Sequence, residues 1–336
     1  GKKDAAMAAD EEAATASSLP SEDPVAVLER LLTPPLAVAG ESLAMVHLAL
    51  GRLRGGRGEY QKAARALEAA VQAADAAEGG EEAAMLGRVA RGQLELRSHN
   101  YSAAAGSFEE ALSGRGARQG HTQLVALAGA AWAALLAGAG GQRAEERLLE
   151  VINRTGVATG EALGKDLQWP TPRQCLAQFD GSDGCRAVAL AGLSLRRSLS
   201  SSSGDEESAA WRWEAEALGA CAARLLSDAG SAAERGGEEP RPRLVLGAAQ
   251  LALGQARAAA RHFQRSLQEG GASGDSALYS SLAAFASGNA SLGLQHLVGA
   301  ASTEAEESLA RFARAHAELP GGQLLLQAAA ERRAAA

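Results

Sequence analysis

The chain has 336 residues, a formal net charge of −7, and 46% apolar but only 4% aromatic residues. This acidic balance without a dense basic tract argues against a nucleic-acid-binding surface. No apolar run approaches the roughly 18–20 residues that a transmembrane helix needs. The three cysteines have no CxxC spacing, which argues against a disulfide framework or a zinc site. The apolar content is mainly Ala and Leu, which favours an all-helical chain.

The N-terminal 24 residues form a separate segment in the sequence. They are polar, small and acidic, and a stretch that cannot bury apolar surface is expected to be a disordered tail. The stretch 25–32, "VAVLERLL", follows Pro24 and predicts a short helix that caps the array behind it. A start that is acidic and lacks Met would suit a mature organelle protein. We therefore expect a plastid location, with the cytosol as the alternative.

One helical sequence pattern occurs several times along the chain. It stands at 58–71 as "GEYQKAARALEAAV", at 99–112 as "HNYSAAAGSFEEAL" and at 254–267 as "GQARAAARHFQRSL". In the early copies the spacing from Tyr60 to Tyr101 is 41 residues, as is that from Gly51 to Gly92. In the late copies the spacing from Gly254 to Gly288 is 34 residues. A fixed period of this size predicts stacked helical hairpins, with the early ones longer.

The residues of each copy resemble the tetratricopeptide repeat, in which small residues at the helix crossing face one large apolar residue. The first copy carries the pattern in Leu50-Gly51, Gly58, Tyr60, Ala63, Leu67 and Ala70. The sequence departs from the family in two ways. The Trp of the family's first helix is replaced by His47, Arg88 and Arg243 in the three copies, and the closing Pro is missing. The resemblance implies an all-α fold, an α-solenoid of antiparallel helix pairs in a right-handed superhelix with terminal capping helices. An irregular helical bundle is the alternative.

The repeat pattern and the composition together divide the chain into six segments. After the tail, about three units with a period near 41 occupy 25–153, and an irregular insertion containing Pro170 and Pro172 follows at 154–184. A degenerate helical pair with a Ser-rich loop is expected at 185–232, and repeats of period 34 at 240–302. Residues 303–336 are expected to form capping helices, because a terminal repeat otherwise leaves an apolar face in water.

The sequence offers no recognisable catalytic, metal-binding or cofactor-binding group. No His pairs with another His or Cys at metal-ligand spacing, and the run "GAGG" at 138–141 lacks the strand and the Lys of a phosphate-binding loop. We therefore expect a protein without catalytic activity, cofactor or metal. An enzyme with its site in the 154–184 insertion is the remaining possibility of that kind.

The predicted function is a non-catalytic scaffold or assembly factor, or a subunit of a larger complex. Repeats that resemble this family hold an extended or helical partner segment against the inner face of their first helices. We expect protein partners rather than nucleic acid, with an RNA-binding helical repeat as the alternative. The predicted partner-binding residues are polar at the early end and apolar at the late end: Arg52, Gln93, Arg97, Leu278, Leu282 and Phe285.

Overall fold

The computed structural model describes nine stretches of the chain, and all structural statements below concern these residues. They are 22–34, 38–114, 120–138, 141–155, 183–200, 206–228, 241–270, 274–301 and 306–335. Residues 1–21 of the predicted tail, most of the predicted insertion, the Ser-rich loop and Cys175 lie outside them. No β-strand occurs in the described part of the chain.

Fifteen helices make up the described residues. In chain order they are α1 (Pro24–Leu31), α2 (Gly40–Gly56), α3 (Tyr60–Ala76), α4 (Glu81–Arg97), α5 (Tyr101–Ser113), α6 (His121–Leu136), α7 (Gly141–Arg154), α8 (Asp183–Ser200), α9 (Glu206–Asp228), α10 (Pro242–Ala252), α11 (Ala256–Gly270), α12 (Gly274–Ala286), α13 (Ala290–Ala301), α14 (Glu306–Ala315) and α15 (Gly322–Ala335).

The helices pack as consecutive antiparallel pairs, the arrangement of the all-α solenoid that the sequence predicts. The pairs are α2 with α3, α4 with α5, α6 with α7, α8 with α9, α10 with α11, and α12 with α13. The first helix of each pair also contacts the first helix of the next, so α2, α4, α6, α8, α10 and α12 form one continuous row. We call that row the inner layer of the array, and the row of second helices the outer layer.

Helix length explains why the early repeats have the longer period. Helices α2, α3 and α4 have 17 residues each, whereas α12 has 13 and α13 has 12. Between one turn and the next, the early unit contains α3 and α4 with 17 residues each, and the late unit contains α11 with 15 and α12 with 13. Most of the extra residues therefore lengthen the helices, chiefly the first helix of the following pair.

A residue in the left-handed conformation closes the tight turn within most pairs. Gly58, Gly254 and Gly288 have φ of 75°, 76° and 79°, values that glycine adopts without the steric cost that a β-carbon brings. In the second repeat the same turn position is taken by His99, with φ of 55°. His99 follows Gly92 by seven residues, as Gly58 follows Gly51. A left-handed non-glycine residue costs about 1–2 kcal/mol, so its side chain must be held by compensating contacts.

Within each pair, small residues let a large one fill the helix crossing. Ala63 and Ala104 are fully buried at these crossings, as the sequence predicts. The glycine of the first helix lies against the large residue of the second. A β-carbon added at Gly92 would lie 2.9 Å from the ring of Phe108, and one added at Gly247 would lie 2.2 Å from the ring of Phe263. The glycines are therefore required by close packing.

Two buried arginines link later repeats to the repeats that precede them. Arg186, near the start of α8, donates Nε to Thr155 Oγ1 at 3.2 Å and also donates to the carbonyl of Thr155 just beyond the end of α7. Arg243, at the start of α10, lies 3.4 Å from the carbonyl of Leu226 near the end of α9. The last carbonyls of a helix lack partners within that helix and carry partial negative charge. The two guanidinium groups satisfy these carbonyls while remaining 2% and 1% exposed.

The end of the chain folds back onto the array. The final pair, α14 and α15, packs against α12 through α15. From the other side, Phe312 and His316 of this pair reach the turn of the second repeat, where the rings of His99 and Phe312 have centroids 5.1 Å apart. One core cluster consequently runs from Met85 to Ala329. The inner row is open at its early end and covered at its late end.

Candidate partner-binding surface

Three of the predicted binding residues lie on the two early helices of the inner row. Arg52 on α2 is exposed, and Gln93 and Arg97 on α4 are partly exposed. Arg52 and Gln93 are 41 residues apart, which is one repeat. Because α2 and α4 pack side by side, equivalent positions on them point to the same side of the array. The structure therefore brings these three residues onto one face.

Apolar side chains accompany them at helical spacing. Met45 precedes Arg52 by seven residues, two helical turns, and is 44% exposed. Leu86 stands at the equivalent place on α4, one repeat later, and is partly exposed. The small side chain of Ala49 lies between Met45 and Arg52 on α2 and is partly exposed as well. We call the surface formed by Met45, Ala49, Arg52, Leu86, Gln93 and Arg97 the α2–α4 face.

The arginines near this face differ in how their charge is balanced. Arg54 forms an ion pair with Glu29 of α1, and Arg88 pairs with Asp75 of α3 at 2.8 Å. Arg52 has no carboxylate partner among the residues that the structure describes. An exposed guanidinium without a partner attracts anionic groups at little desolvation cost. The α2–α4 face is thus apolar with local positive charge, on a chain whose net charge is negative.

The other three predicted residues do not join this face. Leu278, Leu282 and Phe285 of α12 are only 1%, 0% and 5% exposed. They belong to the core cluster that also includes Leu325 of α15, which packs over α12, and the ring of Phe285 lies 2.8 Å from where a β-carbon at Gly293 of α13 would stand. In this conformation they offer no surface to a partner. Of the two interpretations that the sequence leaves open, a late apolar groove or packing against the chain's own terminal helices, the contacts favour the second.

A cluster of buried aromatic and histidine rings joins α14 to the second repeat and to α12. We call this contact the closure of the chain. Tyr279 donates its hydroxyl to His316 Nε2 at 2.8 Å, since Nδ1 of the same ring donates to the carbonyl of Phe312 at 2.9 Å. The hydroxyl of Tyr101 lies 3.1 Å from His99 Nδ1, within hydrogen-bond distance. On its other side, His99 Nε2 lies 3.4 Å from Asp275 Oδ1 of α12. These contacts link the turn of the second repeat to α12 and α14.

The environment of the two histidines keeps them neutral. Burial lowers the pKa of His316 to about 4. Burial also lowers the pKa of His99 to about 3, with smaller contributions from repulsion by His316 and Arg311. The carboxylate of Asp275 would by itself favour a charged His99, but burial outweighs it. At neutral pH the closure is therefore a hydrogen-bonded aromatic contact between uncharged histidines.

The described residues contain no group of three or more His, Cys, Asp or Glu side chains arranged to hold a metal ion. Cys185 and Cys221 are both buried in the core. In the same part of the chain, no helix combines the length and the apolar character needed to cross a membrane.

Sequence reasoning did not single out His99 and His316. For His99 a signal was available, because it occupies the turn position where three other repeats have glycine. A buried non-glycine residue at such a position points to a side chain with specific contacts. For His316 the sequence held no comparable signal, since its partner Tyr279 is far away along the chain.

Comparison with known proteins identifies no family for this chain. No protein-family model matches the chain, and no curated protein does. Among solved structures, the chain is similar to the crystal structure of the APC/C hetero-tetramer Cut9–Hcn1, with 13% identity and a TM-score of 0.30 over 93% of this chain and 68% of that chain. A TM-score this low does not establish a common fold. The assignment of the architecture therefore rests on the helix pairs of this chain.

Proposed function

We propose that this protein is a non-catalytic scaffold, an assembly factor or subunit of a larger complex, that binds a partner segment on the α2–α4 face. The observation that carries this proposal is the contrast along the inner row. Its early part exposes equivalent residues of successive repeats, while α15 covers α12 at the late end. An accessible surface that repeats with the period of the array is the kind that helical solenoids use for extended partners.

The chemistry of the α2–α4 face indicates the kind of segment it would hold. Met45 and Leu86 offer apolar contacts one repeat apart, and Arg52 offers unbalanced positive charge between the helices. A helical or extended segment with an apolar stripe flanked by acidic residues complements this pattern. Charge attraction would increase the association rate, whereas buried apolar contacts would slow dissociation.

This proposal includes the statement that the protein has no catalytic activity. A catalytic site needs a nucleophile with its base, placed carboxylates or a metal centre. Three histidines of the described chain have strongly lowered pKa values: His99 and His316 hold two parts of the fold together, and the pKa of His262 is lowered by burial and by the neighbouring arginines. Their perturbation follows from burial and gives no reason to assign them a reaction.

Charge reversal tests the proposal. Arg52→Glu combined with Arg97→Glu should remove from an affinity purification those proteins that bind the α2–α4 face, as measured by quantitative mass spectrometry. The matched control is Arg65→Glu with Arg257→Glu, because both arginines are exposed on outer helices, α3 and α11. Circular dichroism should show equal helix content in the two double variants.

The decisive step uses a partner that wild type and the control retain and that the Arg52/Arg97 variant loses. Its association rate should fall upon charge reversal and with added salt, because the charges act mainly on encounter. Equal capture of all partners by both double variants would contradict the proposal. Tight, salt-sensitive binding to RNA in a filter assay would favour the RNA-binding alternative instead.

A further inference from the structure

The closure of the chain creates a cavity of about 600 Å³ that is separate from the α2–α4 face. Its walls come from four places: the turn at 99–102, the end of α6 at 135–138, the last part of α8, and the stretch 311–319 around the end of α14. A volume of this size falls in the range of small-molecule sites, about 300–1,000 Å³. The cavity exists only because α14 meets the early repeats.

The floor of the cavity is apolar. Five leucines line it, two from α6, two from α8 and one from the turn after α14: Leu135, Leu136, Leu195, Leu199 and Leu319. Three of them are buried and the other two are partly exposed and packed against the core. Such a floor would bind a hydrocarbon body through contact and loss of water.

One wall of the cavity is cationic. Arg311 and Arg314 stand three residues apart on α14, and both line the cavity. Arg311 has its nearest carboxylate, that of Glu307, 3.8 Å away, and the Nε of Arg314 donates to the carbonyl of Ala310. No carboxylate of the described residues lies within ion-pair distance of Arg314. Among the described residues of the lining, Glu318 is the one acidic side chain beside the two arginines.

The rim at the turn of the second repeat adds neutral donors to the lining. Asn100 and Ser102 line the cavity, and the side chain of Asn100 does not cap α5. The two buried histidines of the lining, His99 and His316, are uncharged because burial lowers the pKa of each. The positive character of the cavity therefore comes from the arginines and does not vary near neutral pH.

We propose that this cavity binds a small amphipathic carboxylate, with its hydrocarbon body on the leucine floor and its head group between Arg314, Arg311 and the rim donors. A guanidinium offers a carboxylate two parallel hydrogen bonds. The apolar floor selects against small polar anions, and the cationic wall selects for a charged head group over a neutral one. Since the walls come from both the early repeats and α14, an occupied cavity would stabilise the closed chain.

Binding of decanoate to the full chain, measured by isothermal titration calorimetry below its micelle-forming concentration, tests this site. Decanoate should bind and raise the thermal unfolding temperature, whereas decanol should bind about tenfold more weakly and acetate should not bind detectably. Decyl phosphate is the probe for a different head group. Tighter binding of decyl phosphate than of decanoate would overturn the assignment of a carboxylate.

Two variants locate the site. Arg314→Gln should reduce decanoate affinity about tenfold or more, and Ala137→Trp should block entry because Ala137 is exposed at the edge of the cavity. Arg65→Gln, on the distant helix α3, is the matched control and should bind like wild type. The proposal is overturned if wild type does not bind decanoate, if decanol binds equally well, or if both cavity variants bind normally. An unfolded Ala137→Trp would leave the decision to Arg314→Gln.

Discussion

The glycines of the first helices give the sharpest test of how the repeats pack. Replacing glycine by alanine inside an exposed helix normally stabilises it by up to about 1 kcal/mol. At Gly247 the added β-carbon would lie 2.2 Å from the Phe263 ring, which is itself fully buried and cannot turn into solvent. The ring or the two helices must therefore move, and overpacking of this kind costs about 1–3 kcal/mol. We expect Gly247→Ala to destabilise the protein by about 1–2 kcal/mol net.

Gly106 on α5 provides the matched control, because it is exposed and a β-carbon there meets no atom within 4 Å. Gly106→Ala should leave stability unchanged or increase it by up to about 1 kcal/mol. Urea unfolding followed by circular dichroism measures both variants. The same chemical change should thus have opposite signs at the two sites, and adding Phe263→Leu should partly rescue Gly247→Ala. Equal or greater stability of Gly247→Ala relative to Gly106→Ala would refute the packing argument.

Three further predictions follow from burial. Ala104→Leu should cost about 1–3 kcal/mol in urea unfolding, because Ala104 is fully buried at its helix crossing; a neutral result would mean that the helix register is different. Phe285→Ala should cost about 3–5 kcal/mol without changing the partners captured by protein that remains folded. A selective loss of one partner would instead place Phe285 on a binding surface. For His316 the folded pKa of about 4 lies below the ordinary histidine pKa of 6.5. The unfolded chain therefore binds the extra proton first, so stability should fall as pH decreases from about 6.5 to about 4. His316→Gln should flatten that slope in urea titrations at several pH values.

Much of the repeat architecture could be predicted because it depends on local spacing. The 41- and 34-residue periods, the turn at Gly58 and the burial of Ala63 and Ala104 follow from residues close together in sequence. Burial of α12 could also have been inferred. Its run from Leu278 to Phe285 carries no charged residue, and a helix without a charged face is normally covered on most sides.

The closure of the chain could not be predicted in the same way. It depends on contacts between His99 and Phe312, and between Tyr279 and His316, which join residues far apart in sequence. The burial of Arg186 is similar, because its acceptor is a backbone carbonyl at the end of α7. No pattern of side chains in the sequence indicates where such a carbonyl lies. Of the predicted binding residues, Arg52 and its neighbours lie exposed or partly exposed on one face, whereas Leu278, Leu282 and Phe285 are buried by contacts that their local sequence does not indicate.

The return of α14 to the second repeat has a consequence for how the chain folds. In an open solenoid each unit touches only its neighbours, so folding can start anywhere and spread along the array. Here the rings of His99 and Phe312 must meet across most of the chain, and such non-local contacts form late because a long loop must first be closed. A nascent chain that ends before Phe312 would hold His99 in its left-handed turn without the ring that packs against it. The helix that relieves strain in the second repeat is therefore synthesised long after that repeat, and the early repeats should reach full resistance to unfolding only once α14 has left the ribosome.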